Sequence, residues 1–196
     1  MKTLLAVALA FSTTAFAQNK PMTMTYKVDS AATKIVYVGK KVTGQHTGNV
    51  TAKSGNLTFQ GEEITGGEVV VDMNSITSTD LTDKDTNAKY IGHIKSADFF
   101  DVAKYPEAKI VIKNSKKTAK GLEVTGDLTF VGKTNPITFL VTDLKKTDAG
   151  VTGKSNVTIN RTKWGLVYGS GSFIKGLGDK AINDEFTLAI DLTAKK

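Results

Sequence analysis

Tyr90-Ile91-Gly92-His93-Ile94-Lys95-Ser96-Ala97-Asp98-Phe99-Phe100-Asp101-Val102-Ala103-Lys104-Tyr105-Pro106 is a stretch that does not alternate, in a chain that otherwise reads as short alternating strands. It ends in a paired Phe and an X-Pro turn, and it holds the densest aromatic cluster of the chain. Ahead of it stand Thr77, Ser78, Thr79, Asp80, Thr82 and Asp83, all residue types that cap helix N-termini. They predict one short helix between Asp80 and Ser96, starting at about Asp80 or Asp83 and running to about Ile94. Tyr90, Ile91 and Ile94 then share a face, and Gly92 weakens the helix. Ser96-Ala97-Asp98 is expected to cap a further turn through Phe99 and Phe100. A β-rich chain that concentrates aromatics in a non-strand insertion is either plugging a barrel or lining the mouth of one.

On both sides of this stretch the hydrophobic period is two. Tyr26 and Val28 alternate with Lys27 and Asp29, and strands are expected over residues 35–38, 45–52, 57–59 and 68–73. After Pro106 the expected strands cover residues 108–112, 122–131, 137–144, 151–159, 170–174 and 184–193. In the final one Phe186, Leu188, Ile190 and Leu192 face one way. Turn chemistry separates the runs at Lys53-Ser54-Gly55-Asn56, Gly61-Glu62, Gly66-Gly67, Gly121, Gly132-Lys133-Thr134-Asn135-Pro136 and Asp148-Ala149-Gly150. Hairpin signals at this spacing predict an all-β, antiparallel sandwich or barrel. The sequence shows no fixed-period repeat and no low-complexity linker.

The N-terminus reads as a secretory signal peptide over residues 1–17. One Lys precedes an apolar run, and Ala15-Phe16-Ala17 has the small-x-small form of a cleavage site. Residues 18–196 are then expected to form one domain in the periplasm or outside the cell. The chain has no Cys, which removes thiol nucleophiles, disulfides and Cys-held metals. The net charge is +7 and comes mostly from Lys, Arg161 being the one Arg. Bidentate reading of phosphates and bases favours Arg, so no nucleic-acid partner is expected. The excess Lys fits transient contact with an anionic membrane surface.

Chemistry-bearing patterns are sparse. His46 and His93 sit in similar settings, but no ligand spacing surrounds them, so no metal and no cofactor are expected. Gly169-Ser170-Gly171-Ser172 lacks the strand–turn–helix context of a nucleophile elbow. Asp80, Asp83 and Asp85 lack the Gly and terminal Glu of a calcium loop. No catalytic set emerges. Arg161 is expected to pair with Asp101 or Asp98, and Trp164 to pack in the core or stack at a cavity mouth. An outer-membrane barrel would need aromatic girdles, which a chain with 8% aromatics ending in Thr-Ala-Lys-Lys does not suggest.

Taken with Met73-Asn74-Ser75-Ile76, the block from Gly126-Asp127-Leu128-Thr129-Phe130 through Gly132-Lys133-Thr134-Asn135-Pro136-Ile137, and Arg161-Thr162-Lys163-Trp164-Gly165, the stretch from Lys95 to Pro106 resembles the YceI-like family of exported proteins. The resemblance spans Tyr26 to Leu192. It implies an extended lipocalin-like antiparallel β-barrel of about eight strands with a helix near one end. It further implies an elongated apolar cavity for a polyisoprenoid-like or long-chain lipid, no catalysis, and a homodimer as one possible assembly. The sequence departs where many members carry a His-Ser pair, here Ala32 and Thr33. An eight-stranded barrel has room for side chains or one small ligand. The expected ligand-binding positions are Tyr37, Phe59, Val71, Ile110, Leu128, Phe130, Phe139, Val141, Ile159, Trp164 and Phe186. Ile91, Ile94, Phe99 and Phe100 are expected to close or line the helical end, with Asp101 anchoring it. The alternative reading is an enzyme or metal-dependent protein acting on such a lipid through His46 and His93. A β-domain that binds only protein also remains.

Overall fold

The strands close on themselves. This computed structural model describes residues 22–196; the signal peptide expected over residues 1–17 lies outside them. Nine strands form, β1 (Thr23–Val28), β2 (Lys34–Lys41), β3 (Gly44–Gln60), β4 (Glu63–Asp72), β5 (Glu107–Thr118), β6 (Gly121–Phe130), β7 (Lys133–Lys146), β8 (Gly150–Asn160) and β9 (Ile182–Lys195). Each of β2 to β9 pairs antiparallel with the next in sequence, and β9 returns to β2. The result is a closed eight-stave barrel. β1 is not a ninth stave. It pairs with β3 at residues 56–60 and with the end of β9, while β2 pairs with β3 at residues 44–50. β1 and β2 therefore lie in line as one interrupted stave, with Asp29 closing the turn between them through Ala31 and Ala32 N–H.

Several expected turns are strand. Residues 53–56 lie inside the 17-residue β3, where a bulge between Ala52 and Ser54 absorbs the extra residue. Gly55 is there for close approach. A Cβ on it would lie 2.6 Å from the Glu68 carbonyl oxygen. Gly66 and Gly67 sit in β4 beside a second bulge, at Thr65. The turn expected over residues 132–136 shrinks to Val131-Gly132, and Pro136 pairs with Asp127 inside β7. Its missing N–H is tolerated because the β7–β8 ladder runs only from Val141 with Ser155 to Lys146 with Val151. The strand expected over residues 170–174 does not form. That segment is a chain of turns with one bridge, Ser170 to Ile182, because four glycines between residues 169 and 178 favour turns over a ladder.

The helix α1 spans Lys84–Lys95, within the expected limits. Asp83 caps it by accepting from Thr86 N–H at 2.8 Å. Asp85 in the first turn and His93 and Lys95 in the last complement the helix dipole. Its buried residue is Ile94, which turns inward to the barrel. Nothing lies within 4 Å of a Cβ built on Gly92. Gly92→Ala is therefore expected to stabilise the protein by about 0.5–1 kcal/mol through helix propensity. Urea unfolding midpoints check this, and a loss of stability would mean that the helix needs the glycine.

Two apolar clusters divide the interior. At the end away from α1, Tyr26, Leu57, Phe59, Ile64, Val124 and Val151 pack into a core. Tyr26 meets Phe59 edge to face at 5.7 Å. At the α1 end, Met73, Ile94, Val102, Phe130, Ile159, Trp164 and Leu166 form the second cluster.

Candidate ligand-binding site

Between these clusters the barrel encloses a cavity of about 420 Å³, within the range of small-molecule sites. Alternation in the strands puts every second side chain into it. The wall takes Val69 and Val71 from β4, Ala108, Ile110 and Ile112 from β5, Leu128 and Phe130 from β6, and Ile137, Phe139 and Val141 from β7. Val157 and Ile159 from β8, Phe186, Leu188, Ile190 and Leu192 from β9, Ile35 and Tyr37 from β2 and Val50 and Leu57 from β3 also line it. The lining is almost wholly apolar.

The non-alternating segment from residue 90 to 106 forms the lid. Ile94 from α1 and Phe99 and Phe100 from the following turn face the cavity. Their rings make a chain into the wall. Phe99 stacks edge to face on Phe100 at 4.8 Å, Phe100 meets Phe130 at 5.3 Å, and Phe130 meets Phe186 at 6.2 Å. The turn is closed by backbone bonds, Phe100 N–H to Ile94 O at 3.1 Å and Asp101 N–H to Ser96 O at 2.8 Å. Asp101 holds it through a left-handed backbone, φ 45°, which Asp tolerates better than most residues.

A strap over residues 76–83 ties α1 to the barrel. It continues the edge of β3 beyond the end of β4, with Thr77 N–H donating to Asn49 O and Thr79 N–H to Thr47 O. Asp80 accepts from Thr47 N–H at 2.9 Å and from the Ser78 hydroxyl at 3.0 Å, and pairs with His46 Nδ1 at 2.8 Å. Burial alone would raise the Asp80 carboxyl; the Thr47 amide, His46 and Ser78 outweigh it and hold the group below its ordinary value. A lowered value means that the strap gains stability above the ordinary pKa near 3.8 and loses it as pH falls through the lowered one. The contribution is below about 1 kcal/mol at this partly exposed site. The protection of the Thr47 amide against exchange, taken relative to its intrinsic rate at each pH, is therefore expected to fall below about pH 4. Asp80→Asn should flatten that dependence, and an unchanged acid profile in the variant would remove Asp80 as its source.

The Tyr37 hydroxyl donates to Thr77 O at 2.9 Å, and burial pushes its pKa up. His46 and His93 both line the cavity near its mouth. They are not joined as a site. His46 is committed to Asp80 and stacks on Tyr90 at 4.4 Å, and His93 stacks on Tyr168 at 4.9 Å. Among the described residues no three His, Cys, Asp or Glu side chains are grouped to hold a metal.

Most expected positions face the cavity, namely Tyr37, Val71, Ile94, Phe99, Phe100, Ile110, Leu128, Phe130, Phe139, Val141, Ile159 and Phe186. Three do not line it. Phe59 is fully buried in the far core. Trp164 is 2% exposed, with its Nε1–H donating to Leu128 O at 3.0 Å. Ile91 packs on the outer side of the lid, in a shallow surface hollow with Ile76 and Asn87. Sequence reasoning missed Val50, Val69, Ile112, Val157, Leu188, Ile190 and Leu192, although strict alternation from Val71, Ile110, Ile159 and Phe186 would have found six of them. Arg161 does not pair with Asp98 or Asp101. Its nearest carboxylate is Asp184, at 3.8 Å, and its N–H groups donate to Asn183 O, Leu166 O and Ile182 O. Asp184 is nearer because β9 runs beside β8, at whose end Arg161 lies. The Ser170 hydroxyl, the Ser172 hydroxyl and Arg161 hold Asp184 below the usual carboxylate range, although Ser170 Oγ and Asp184 Oδ1 are both buried without a completed hydrogen bond.

Comparison with known proteins matches this architecture. The chain is similar to a UPF0312 protein of Pseudomonas putida, 35% identical over 142 residues, which are 69% of this chain and 70% of that one. It is similar to Protein YceI of Escherichia coli, 33% identical over 139 residues, 67% of this chain and 68% of that one. Among solved structures, BcnA of Burkholderia cenocepacia superposes with a TM-score of 0.61 at 24% identity, covering 86% of this chain and 99% of that one. A polyisoprenoid binding domain from Saccharophagus degradans gives 0.60 at 15% identity, covering 87% and 97%. At that identity the two structures speak for the fold. The model of the YceI-like domain matches residues 26–194, from the first buried tyrosine almost to the end of β9, so the chain belongs to the YceI-like family.

Proposed function

We propose that this protein is an exported carrier that binds a polyisoprenoid-like or other long-chain amphiphile, with the chain of the ligand in the barrel and its polar end at the rim beside His46 and His93. The observation that carries the reading is the apolar cavity inside the barrel, under an aromatic lid. Apolar burial stabilises a ligand by about 0.8 kcal/mol per methylene-sized group, so a tunnel of this kind binds an unbranched or prenyl chain with few polar contacts. The polyisoprenoid-binding domain that shares the fold supports the same class of ligand. Export is supported by the signal-peptide pattern of residues 1–17. The reading is of a binding protein rather than an enzyme: His46 is held by the single carboxylate of Asp80, and among the described residues no three His, Cys, Asp or Glu side chains gather around either His.

Native mass spectrometry of the purified protein, before and after organic extraction, tests the reading. A bound mass lost on extraction, and recovered with a prenyl or acyl probe, is the expected result. No adduct and no probe binding would overturn it. N-terminal sequencing of the secreted or periplasmic protein is expected to start at Gln18; an uncut chain in the cytosol would overturn export.

A further inference from the structure

We propose that the rim of the barrel beside the cavity mouth is a docking surface for an anionic lipid bilayer, from which the ligand enters the cavity. This deepens the carrier reading and rests on it. Among the described residues the exposed large hydrophobic side chains are Met22, Val42, Tyr168, Phe173 and Ile174. All but Met22 belong to two neighbouring pieces of the rim. Val42 tips the β2–β3 hairpin and is 62% exposed; Phe173, 61% exposed, leads the loop that enters β9.

Backbone bonds join the two pieces. Val42 N–H donates to Ala181 O at 3.1 Å, and Ile182 N–H to Gly169 O at 2.8 Å. Phe173 and Ile174 N–H both close on Ser170 O, at 3.2 and 2.8 Å. The apolar tips therefore stand on a hydrogen-bonded platform, and solvent-facing apolar groups of this size, clustered in one place, mark an interaction site.

The charge around them matches one occupant. Lys40 and Lys41 precede Val42, Lys175 follows Ile174, and Lys180 precedes Ala181. All four are exposed, and none is in an ion pair among the described residues. Asp179 and Glu185 are the carboxylates nearest them in sequence on this rim that are not already held by Arg161. Apolar tips among lysines suit insertion below anionic headgroups, and each lysine near such a surface strengthens binding by roughly fivefold. The surface is continuous with the mouth, since Lys40, Lys41 and Ile182 also line the cavity and Tyr168 stacks on the cavity-lining His93. A long-chain amphiphile resides in a bilayer rather than in water, so the mouth must face one to be loaded.

Sedimentation with vesicles tests the proposal. The full mature protein is expected to bind phosphatidylcholine vesicles containing phosphatidylglycerol, and to bind pure phosphatidylcholine at least about tenfold more weakly. Phe173→Ser with Ile174→Ser is expected to cost about tenfold or more in vesicle affinity, and Lys175→Gln with Lys180→Gln about tenfold or more. Both variants should retain prenyl-probe affinity in vesicle-free solution, and circular dichroism should confirm that they are folded. No binding to anionic vesicles, or unchanged affinity in both variants, would overturn docking. So would a concentration-dependent dimer abolished by Phe173→Ser with Ile174→Ser, which would assign the patch to a second copy of the chain. Vesicle binding that depends on these residues in a protein that takes up no probe would support docking while overturning the carrier reading.

Discussion

Arg161→Met is expected to lower the stability of the barrel by about 3–5 kcal/mol. The guanidinium is 2% exposed and donates to three backbone carbonyls, Asn183 at 3.0 Å, Leu166 at 2.6 Å and Ile182 at 3.1 Å. It also faces the Asp184 carboxylate and lies 5.6 Å from the centre of the Phe99 ring. Burial lowers its pKa, but guanidinium remains protonated. A methionine fills a similar volume and leaves the three carbonyls without their donor and the carboxylate without its counter-charge, and stranded buried polar groups cost about 1–3 kcal/mol each. Arg161→Lys is expected to recover little, since one ammonium cannot match the fork geometry that reaches three acceptors. For a chain of this size the melting temperature should fall by roughly 10 °C. A loss within about 1 kcal/mol, read by urea unfolding, would show that the β8–β9 corner does not depend on the arginine.

Ile110→Trp combined with Leu188→Trp is expected to abolish binding of a prenyl probe while leaving the barrel folded. The two side chains project into the cavity from β5 and β9. Two indoles would displace about four methylene-sized groups of ligand, about 3 kcal/mol in lost burial or more than a hundredfold in affinity. Filling a cavity does not remove packing, so the melting temperature should hold or rise. Probe fluorescence titration and thermal unfolding together read both effects. Retained affinity in a folded variant would place the ligand outside the barrel.

The sequence shows some of these residues by pattern and hides others. Phe186 to Leu192 alternate so cleanly that their shared face is legible before any fold is known, and that face lines the cavity. The helix was legible because capping is local: Asp83 and Thr86 are three residues apart. Asp80 and His46 are 34 residues apart, and nothing in either neighbourhood announces the pair. Phe59 alternates like a lining residue, yet it lies in the far core because β3 is bulged and long enough to run to the other end of the barrel. Trp164 has the composition of a mouth residue, and its indole N–H is spent on Leu128 O inside the wall.

The sequence by itself determined most of the staves, the presence of the helix, the absence of thiol chemistry and the family, because each rests on period, local turn chemistry or motif order. Only the tertiary structure decided that β1 and β2 share one stave, that glycines at 55, 66 and 67 serve strands rather than turns, and that Arg161 holds the start of β9 instead of pairing with Asp98 or Asp101. It alone placed Val42, Phe173 and Ile174 on one rim. The physical reason is common to all of these. Periodicity fixes which way a side chain points relative to its own strand, whereas register, bulges and barrel closure fix what it meets, and those depend on residues far away in the chain.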